Sequence, residues 1–467
     1  MKKSKRKTTK RRPGKTPVLE RELHPDAAGL DIAANEIVAA IPPDRPDETV
    51  RSFTTFTKGL HELRDWLLEN RITTVAMEST GSFWIPCYNI LEAAGIEVFL
   101  VNARHVKGVP GKKTDVLDAQ WLQQLHAAGL LRKSFRPAND ILALRSLLRH
   151  RANLVADTSR QIQLMQKALT EMNLHLHHVL SDLDGLSGTV IIQAIIQAIL
   201  EGERDPAQLA ALCHIRCRTP REKIIQALQG DYKSEHLFIL RQSQQSRQRL
   251  LEQIAELDRE IQTTLQAIPA EGQPAPADFK PCKSTSSHKT LEGDLIFKQA
   301  LRLYGVDLAT VDGVSVSALS TLMGELGTRE QILKAFPTPQ RFSSWLGLCP
   351  DNRISGGKIL SSSTRRVVNK VANVLRLCAQ TLGHSKSKLG DYCRKMKSRL
   401  GKAEGITATA HKLARILYAM IQTQRPYDET LAFKLTPQKE ARRLKHFFTE
   451  ARRLGFSLVP IQQPTTC

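Results

Sequence analysis

The chain has 467 residues, 41% of them hydrophobic and 24% charged. That is enough length and apolar content for two or three folded domains, and it excludes an intrinsically disordered protein. Against 46 Asp and Glu stand 68 Lys and Arg, a formal charge of +22, which points to a polyanionic partner, nucleic acid first, because cationic side chains release condensed counterions when they meet phosphates. A basic surface that serves only solubility is the plain alternative.

In chain order, residues 1–22 read as a basic, disordered arm. Its first fifteen residues, MKKSKRKTTKRRPGK, carry nine positive charges and leave +13 on the remainder. The arm lacks the apolar core of a signal peptide. The longest apolar run, TVIIQAIIQAIL from Thr189, is too short and too interrupted by Gln to cross a bilayer. The expectation is a cytoplasmic, nucleoid-associated protein with reduced cysteines and no membrane partner. Cys213 and Cys217, the nearest approach to a metal spacing, lack a second ligand pair.

The stretch AGLDIAANEIVAAI predicts two short strands turning at Ala34 and Asn35, and Val50 opens a third. KGLHELRDWLLEN has helical spacing, TTVAME is a buried strand ending in Glu78, FWIPCYNILEAAG is a helix closed by Gly95, and EVFLV is another strand. A helix opening in KKTDVLDA completes the order β-β-β-α-β-α-β-α, that of an RNase H-like fold.

This order distributes four carboxylates. Asp31 falls in the first strand and Glu78 at the carboxyl end of the fourth, where ligands of open α/β sheets collect. Asp115 and Asp118 share one helix face at i and i+3. Read alone, that pair only complements a helix dipole behind a Thr114 cap. Together with Asp31 and Glu78, it makes an acidic edge suited to phosphoryl transfer, in which two Mg²⁺ ions held by hard oxygen ligands activate the attacking oxygen and neutralise the leaving one.

GLDIA, AMESTGSFW and GKKTDVLDAQWL, at these intervals, resemble the RuvC-like N-terminal domain of the DEDD transposases of bacterial insertion sequences, now regarded as bridge-RNA-guided recombinases. The resemblance implies that Asp31, Glu78, Asp115 and Asp118 are an acidic tetrad binding Mg²⁺, with Mn²⁺ as a substitute. ATVDGVSVSALSTLMGELG followed by RFSSWLGLCPDNRISGGK is similar to the family's C-terminal transposase domain, whose catalytic serine falls on Ser355. As a residue, Ser355 beside two glycines is turn chemistry. Because ILSSSTRRVVN departs from the family pattern after that serine, Ser361, Ser362 and Ser363 remain alternative nucleophiles. Lys112, Lys113, Lys358, Arg365, Arg366 and Lys370 are expected to contact phosphates.

Between these regions, the sequences from Leu144 and Leu240 predict long amphipathic helices near heptad spacing, which pair within the chain or across subunits. Residues 269–295 form a Pro- and Ser-rich linker. VDGVSVSAL resembles a helix-hairpin-helix turn, whose amides can hold a phosphate.

The expected architecture is α/β plus α: a RuvC-like domain over 23–138, a coiled-coil-like region over 139–268, the linker, a mainly helical serine domain over 296–425 and a tail over 426–467. The expected function is a DNA recombinase acting on double-stranded donor and target DNA as a dimer or tetramer, with a noncoding guide RNA implied by the resemblance alone. A junction nuclease using water, or a non-catalytic nucleic-acid binder, are the alternatives.

Overall fold

The structure, a computed structural model, describes residues 23–45, 48–79, 81–102, 114–176, 186–213, 219–269, 279, 291–365, 367–433 and 437–458. The basic arm, Lys112, Lys113, Arg366 and most of the linker lie outside the described residues. The chain divides into two compact units, Met1–Arg136 and Pro137–Cys467.

In the first unit, strands β1 (Ala27–Ile32), β2 (Glu36–Ala40), β3 (Val50–Thr54), β4 (Thr74–Glu78) and β5 (Glu97–Val101) form one sheet in the order β3-β2-β1-β4-β5. The first three are antiparallel neighbours, whereas β1, β4 and β5 run parallel. Helix α1 (Thr57–Glu69) buries Leu60, Leu63 and Leu67 along one stripe, the spacing that a helix on a sheet requires. With α2 (Trp84–Ala93) it helps close a core around Leu30, Ile37, Phe53, Trp66, Met77 and Leu91. Gly95, at φ +81°, closes α2, and the Ile96 amide returns to the Leu91 carbonyl, the left-handed C-cap that glycine permits. Helix α3 (Asp115–Ala127) packs against β1, β2 and β4. The element order and the mixed sheet are those expected of an RNase H-like domain.

In the second unit, α4 (Asn139–Glu171) and α8 (Ser234–Ala267) pair within the chain. They run antiparallel. Arg151 meets Asp258 near one end, while Met165 and Leu169 share a core with Leu240 at the other. That distal core is capped by α5 (Leu186–Glu201), α6 (Pro206–Ala211) and α7 (Arg221–Ala227). Helices α9 (Gly293–Tyr304), α10 (Val316–Leu326), α11 (Arg329–Ala335) and α12 (Pro339–Trp345) follow. After them come a hairpin of β6 (Arg353–Ser355) and β7 (Lys358–Ser361), then α13 (Lys370–Thr381), α14 (Lys388–Leu400), α15 (Lys402–Thr423), α16 (Glu429–Ala432) and α17 (Pro437–Arg453). Because α10 packs on α4, the long helical pair and the C-terminal helices belong to one body. Among the described residues no helix is long and apolar enough to cross a membrane.

Candidate active site

Side chains alternate across β1. Ala28 and Leu30 enter the core beneath α1 and α2, so Ala27, Gly29 and Asp31 face α3. A Cβ at Gly29 would lie 2.3 Å from both the Ala119 carbonyl oxygen and the Gln123 nitrogen. Only glycine lets the helix backbone come this close. Gln123 donates to the Ala27 carbonyl at 3.3 Å, whereas Ala119 covers Gly29, so α3 runs antiparallel to β1. The next turn back along the helix, holding Asp115 and Asp118, therefore lies toward the Asp31 end of β1.

Glu78 reaches the same face by the same alternation. Val75 and Met77 join the core under α1 and α2, while Ala76 packs with Leu122 and Leu125 of α3. Leu30 pairs with Met77 in the parallel ladder. One residue further, Asp31 and Glu78 lie at the ends of these adjacent strands. Asp31, Glu78 and Asp118 are half-buried and Asp115 is exposed. The Thr114 hydroxyl caps α3 by accepting from the Leu117 amide at 3.3 Å, so both aspartates sit in the first turn, where the helix dipole favours negative charge.

The other end of α3 is clamped by His126, which is only 1% exposed. Thr74 donates its hydroxyl proton to the Glu97 carbonyl at 3.0 Å and lies 2.9 Å from His126 Nε2. The imidazole must then carry its proton on Nε2 and donate to Thr74. Burial, followed by the neighbouring His24, pushes the His126 pKa down to about 4, so the ring is neutral at pH 7.

The second unit presents Ser355 differently. The hairpin turns on Gly356 and Gly357, at φ +53° and +75°, the two positive values that a two-residue type I′ turn needs. Ser355 pairs with Lys358 across it, and both are exposed. The root is fastened by a Pro350–Thr364 bridge, by the Asp351 amide donating to the Ser363 carbonyl at 2.9 Å, and by Arg365, whose guanidinium donates to the carbonyl and hydroxyl of Ser344. Ser361 and Ser363 hydroxyls lie 3.2 Å apart. Lys370 opens α13 behind an Asn369 cap.

Residues 28–174 match the DEDD transposase model of IS110 elements, and residues 307–394 match the transposase model of the IS116/IS110/IS902 family. The chain belongs to the IS110 family of transposases. No protein of curated function matches it.

The first match contains all four carboxylates and the second contains the Ser355 hairpin. A transposase of this family acts on DNA, and a DEDD domain implies dependence on a divalent metal. The donor set suits such an ion chemically, since hard cations take carboxylate oxygens: two of the acids lie at the ends of parallel strands and two lie in the first turn of the helix packed on that sheet. Among the described residues, no three His, Cys, Asp or Glu side chains cluster closely enough to hold a metal ion. Cys213 is described, but Cys217 is not. Gly29, Gln123 and His126, which fix α3 over the transposase's acidic edge, escape a reading of the sequence, where each looks like an ordinary strand or helix residue.

Proposed function

We propose that this transposase cuts and rejoins double-stranded DNA through a phosphoserine on Ser355, with Asp31, Glu78, Asp115 and Asp118 holding Mg²⁺, and with a structured noncoding RNA as its guide. The observation that carries the reading is the division of labour between the units. In one, Asp31 and Glu78 lie at the ends of adjacent parallel strands while Asp115 and Asp118 lie in the first turn of α3; the other offers a hydroxyl on an exposed, glycine-tipped hairpin with no base hydrogen-bonded to it among the described residues. When bound, the metal would supply charge neutralisation at the phosphate and a lowered pKa for the attacking oxygen.

The chain's own part balances as follows. The Ser355 hydroxyl gives up its proton and Oγ bonds to phosphorus, while the bond from phosphorus to one deoxyribose oxygen breaks and that oxygen leaves as a protonated hydroxyl. A DNA hydroxyl later attacks the same phosphorus and Oγ departs, regaining a proton. Two transesterifications replace one hydrolysis, so the phosphodiester is conserved. The charge of +22 supports a large polyanionic partner, and the family resemblance supports RNA as part of it.

The test is covalency. Wild-type protein with Mg²⁺ should leave a DNA end attached through a bond that survives denaturation, with the phosphate mapping to Ser355. Ser355→Ala should lose adduct and strand exchange together, and Asp115→Asn should lose both while still binding DNA. Efficient cleavage by Ser355→Ala with no adduct in the wild type would instead identify a metal-dependent nuclease that uses water. Mapping to Ser361, Ser362 or Ser363 would move the nucleophile along the hairpin.

A further inference from the structure

The cleft bounded by α4, α10 and the start of α13 encloses about 250 Å³, and its charges do not balance. Arg149 donates from two guanidinium nitrogens to the two carboxylate oxygens of Glu325, each at 2.9 Å. Arg145 approaches the same carboxylate at 3.2 Å while donating to the Gly324 and Glu325 carbonyls. Lys370 lines the same cleft. Two guanidinium groups therefore share one carboxylate, which is itself largely buried, and the Lys370 ammonium adds a third positive charge to the same lining. Arg151, on the cleft wall, has a carboxylate of its own in Asp258.

Crowding like charges where water is partly excluded is costly unless an anion joins them. Partial burial first, then Arg149 and Arg145, push the Lys370 ammonium below the ordinary lysine range, and Glu325 opposes them. The excess charge, the room for more than a bare ion and the Ser317 hydroxyl on the first turn of α10 all suit a phosphate group that remains attached to a larger molecule.

We propose that Arg145, Arg149, Lys370 and Ser317 form a seat for one phosphate of a nucleic-acid backbone, separate from the carboxylates and from Ser355. The inference rests on the DNA-acting reading above only for the source of the phosphate. Lys370 follows the Ser355 hairpin closely in sequence, so a backbone held here would be gripped near the root of that hairpin, between it and the base of the long helical pair.

Binding of a duplex DNA oligonucleotide is measured from about 50 to 200 mM salt with full-length protein carrying Asp115→Asn, so that cleavage does not intervene. Lys370→Gln in this background should make the slope of log K against log salt shallower by about 0.9. Ser317→Asp disturbs no existing ion pair and places an acid where the helix dipole welcomes it; it should weaken binding at least as much without unfolding the protein. Unchanged slope and affinity in these two variants, both folded, would show a purely structural charge cluster and overturn the proposal. Inorganic phosphate raising the melting temperature of the parent but not of Lys370→Gln, with unchanged oligonucleotide slopes, would also overturn it, by making this a free-anion site. A shallower slope alongside a failed Ser355 adduct test would leave the seat standing and the phosphoserine reading refuted.

Discussion

Gly29 shows how a residue without a side chain sets the position of others. Its hydrogen leaves room for the backbone of α3, and the carboxylates of the first turn are placed by that contact. Gly29→Ala would drive a methyl group into the Ala119 carbonyl and Gln123 nitrogen, each 2.3 Å away. We expect a loss of about 1–3 kcal/mol, the usual cost of overpacking, and at least a tenfold loss of metal-dependent cleavage as the helix lifts. Calorimetry and a cleavage assay check this, and wild-type cleavage by the variant would show that the helix need not sit so close. His126 makes a second prediction at this scale. The unfolded chain takes up a proton near pH 6.5 and the folded unit only near pH 4. The stability contributed by the neutral ring is therefore complete above pH 6.5 and drains away as pH falls toward 4, on the order of 3 kcal/mol in all. Hydrogen exchange of β4 and β5 amides, corrected for intrinsic rates, should show this decline in wild type and a flatter profile in His126→Gln.

The element that most depends on local backbone chemistry is the serine hairpin. A two-stranded hairpin is marginal by itself, and a non-glycine residue held in the left-handed region costs roughly 1–2 kcal/mol. Replacing both Gly356 and Gly357 by Ala should open the hairpin and reduce strand exchange at least tenfold, with DNA binding and global melting temperature nearly unchanged. Gly356→Asn, which introduces the favoured Asn-Gly turn, should keep most activity. If the double alanine variant recombines normally, the turn does not position Ser355. The same hairpin marks where sequence reading stops. The strands and helices of the N-terminal unit were legible because each is periodic and bounded by residues such as Gly95 or Thr114, and the acids stood out because Glu78 ends an otherwise apolar strand. The Arg145–Glu325 contact joins positions 180 residues apart, and nothing near either residue announces the other. Ser355 reads locally as a turn residue, and only its resemblance to a family singled it out.

For the whole molecule, the positive charge is spread between the N-terminal arm and the folded remainder. Deleting residues 2–12, which removes eight Lys and Arg, should weaken DNA binding and make its salt dependence shallower by about 0.9 per lost phosphate contact. An unchanged slope would mean that the arm stays in solvent and that the folded surface alone meets the DNA.

The antiparallel pair of long helices fixes a distance as well as a fold. At 1.5 Å of rise per residue, the 33 residues of α4 extend about 50 Å, from the helices around Glu325 to the apolar cap around Leu169. With one base pair for every 3.4 Å of duplex, that length corresponds to about fifteen base pairs, or roughly one and a half turns of DNA. A rod of that size turns small rotations at its root into large movements at its tip: a tilt of about 10° there carries the cap roughly 9 Å sideways, farther than two base-pair steps along the duplex.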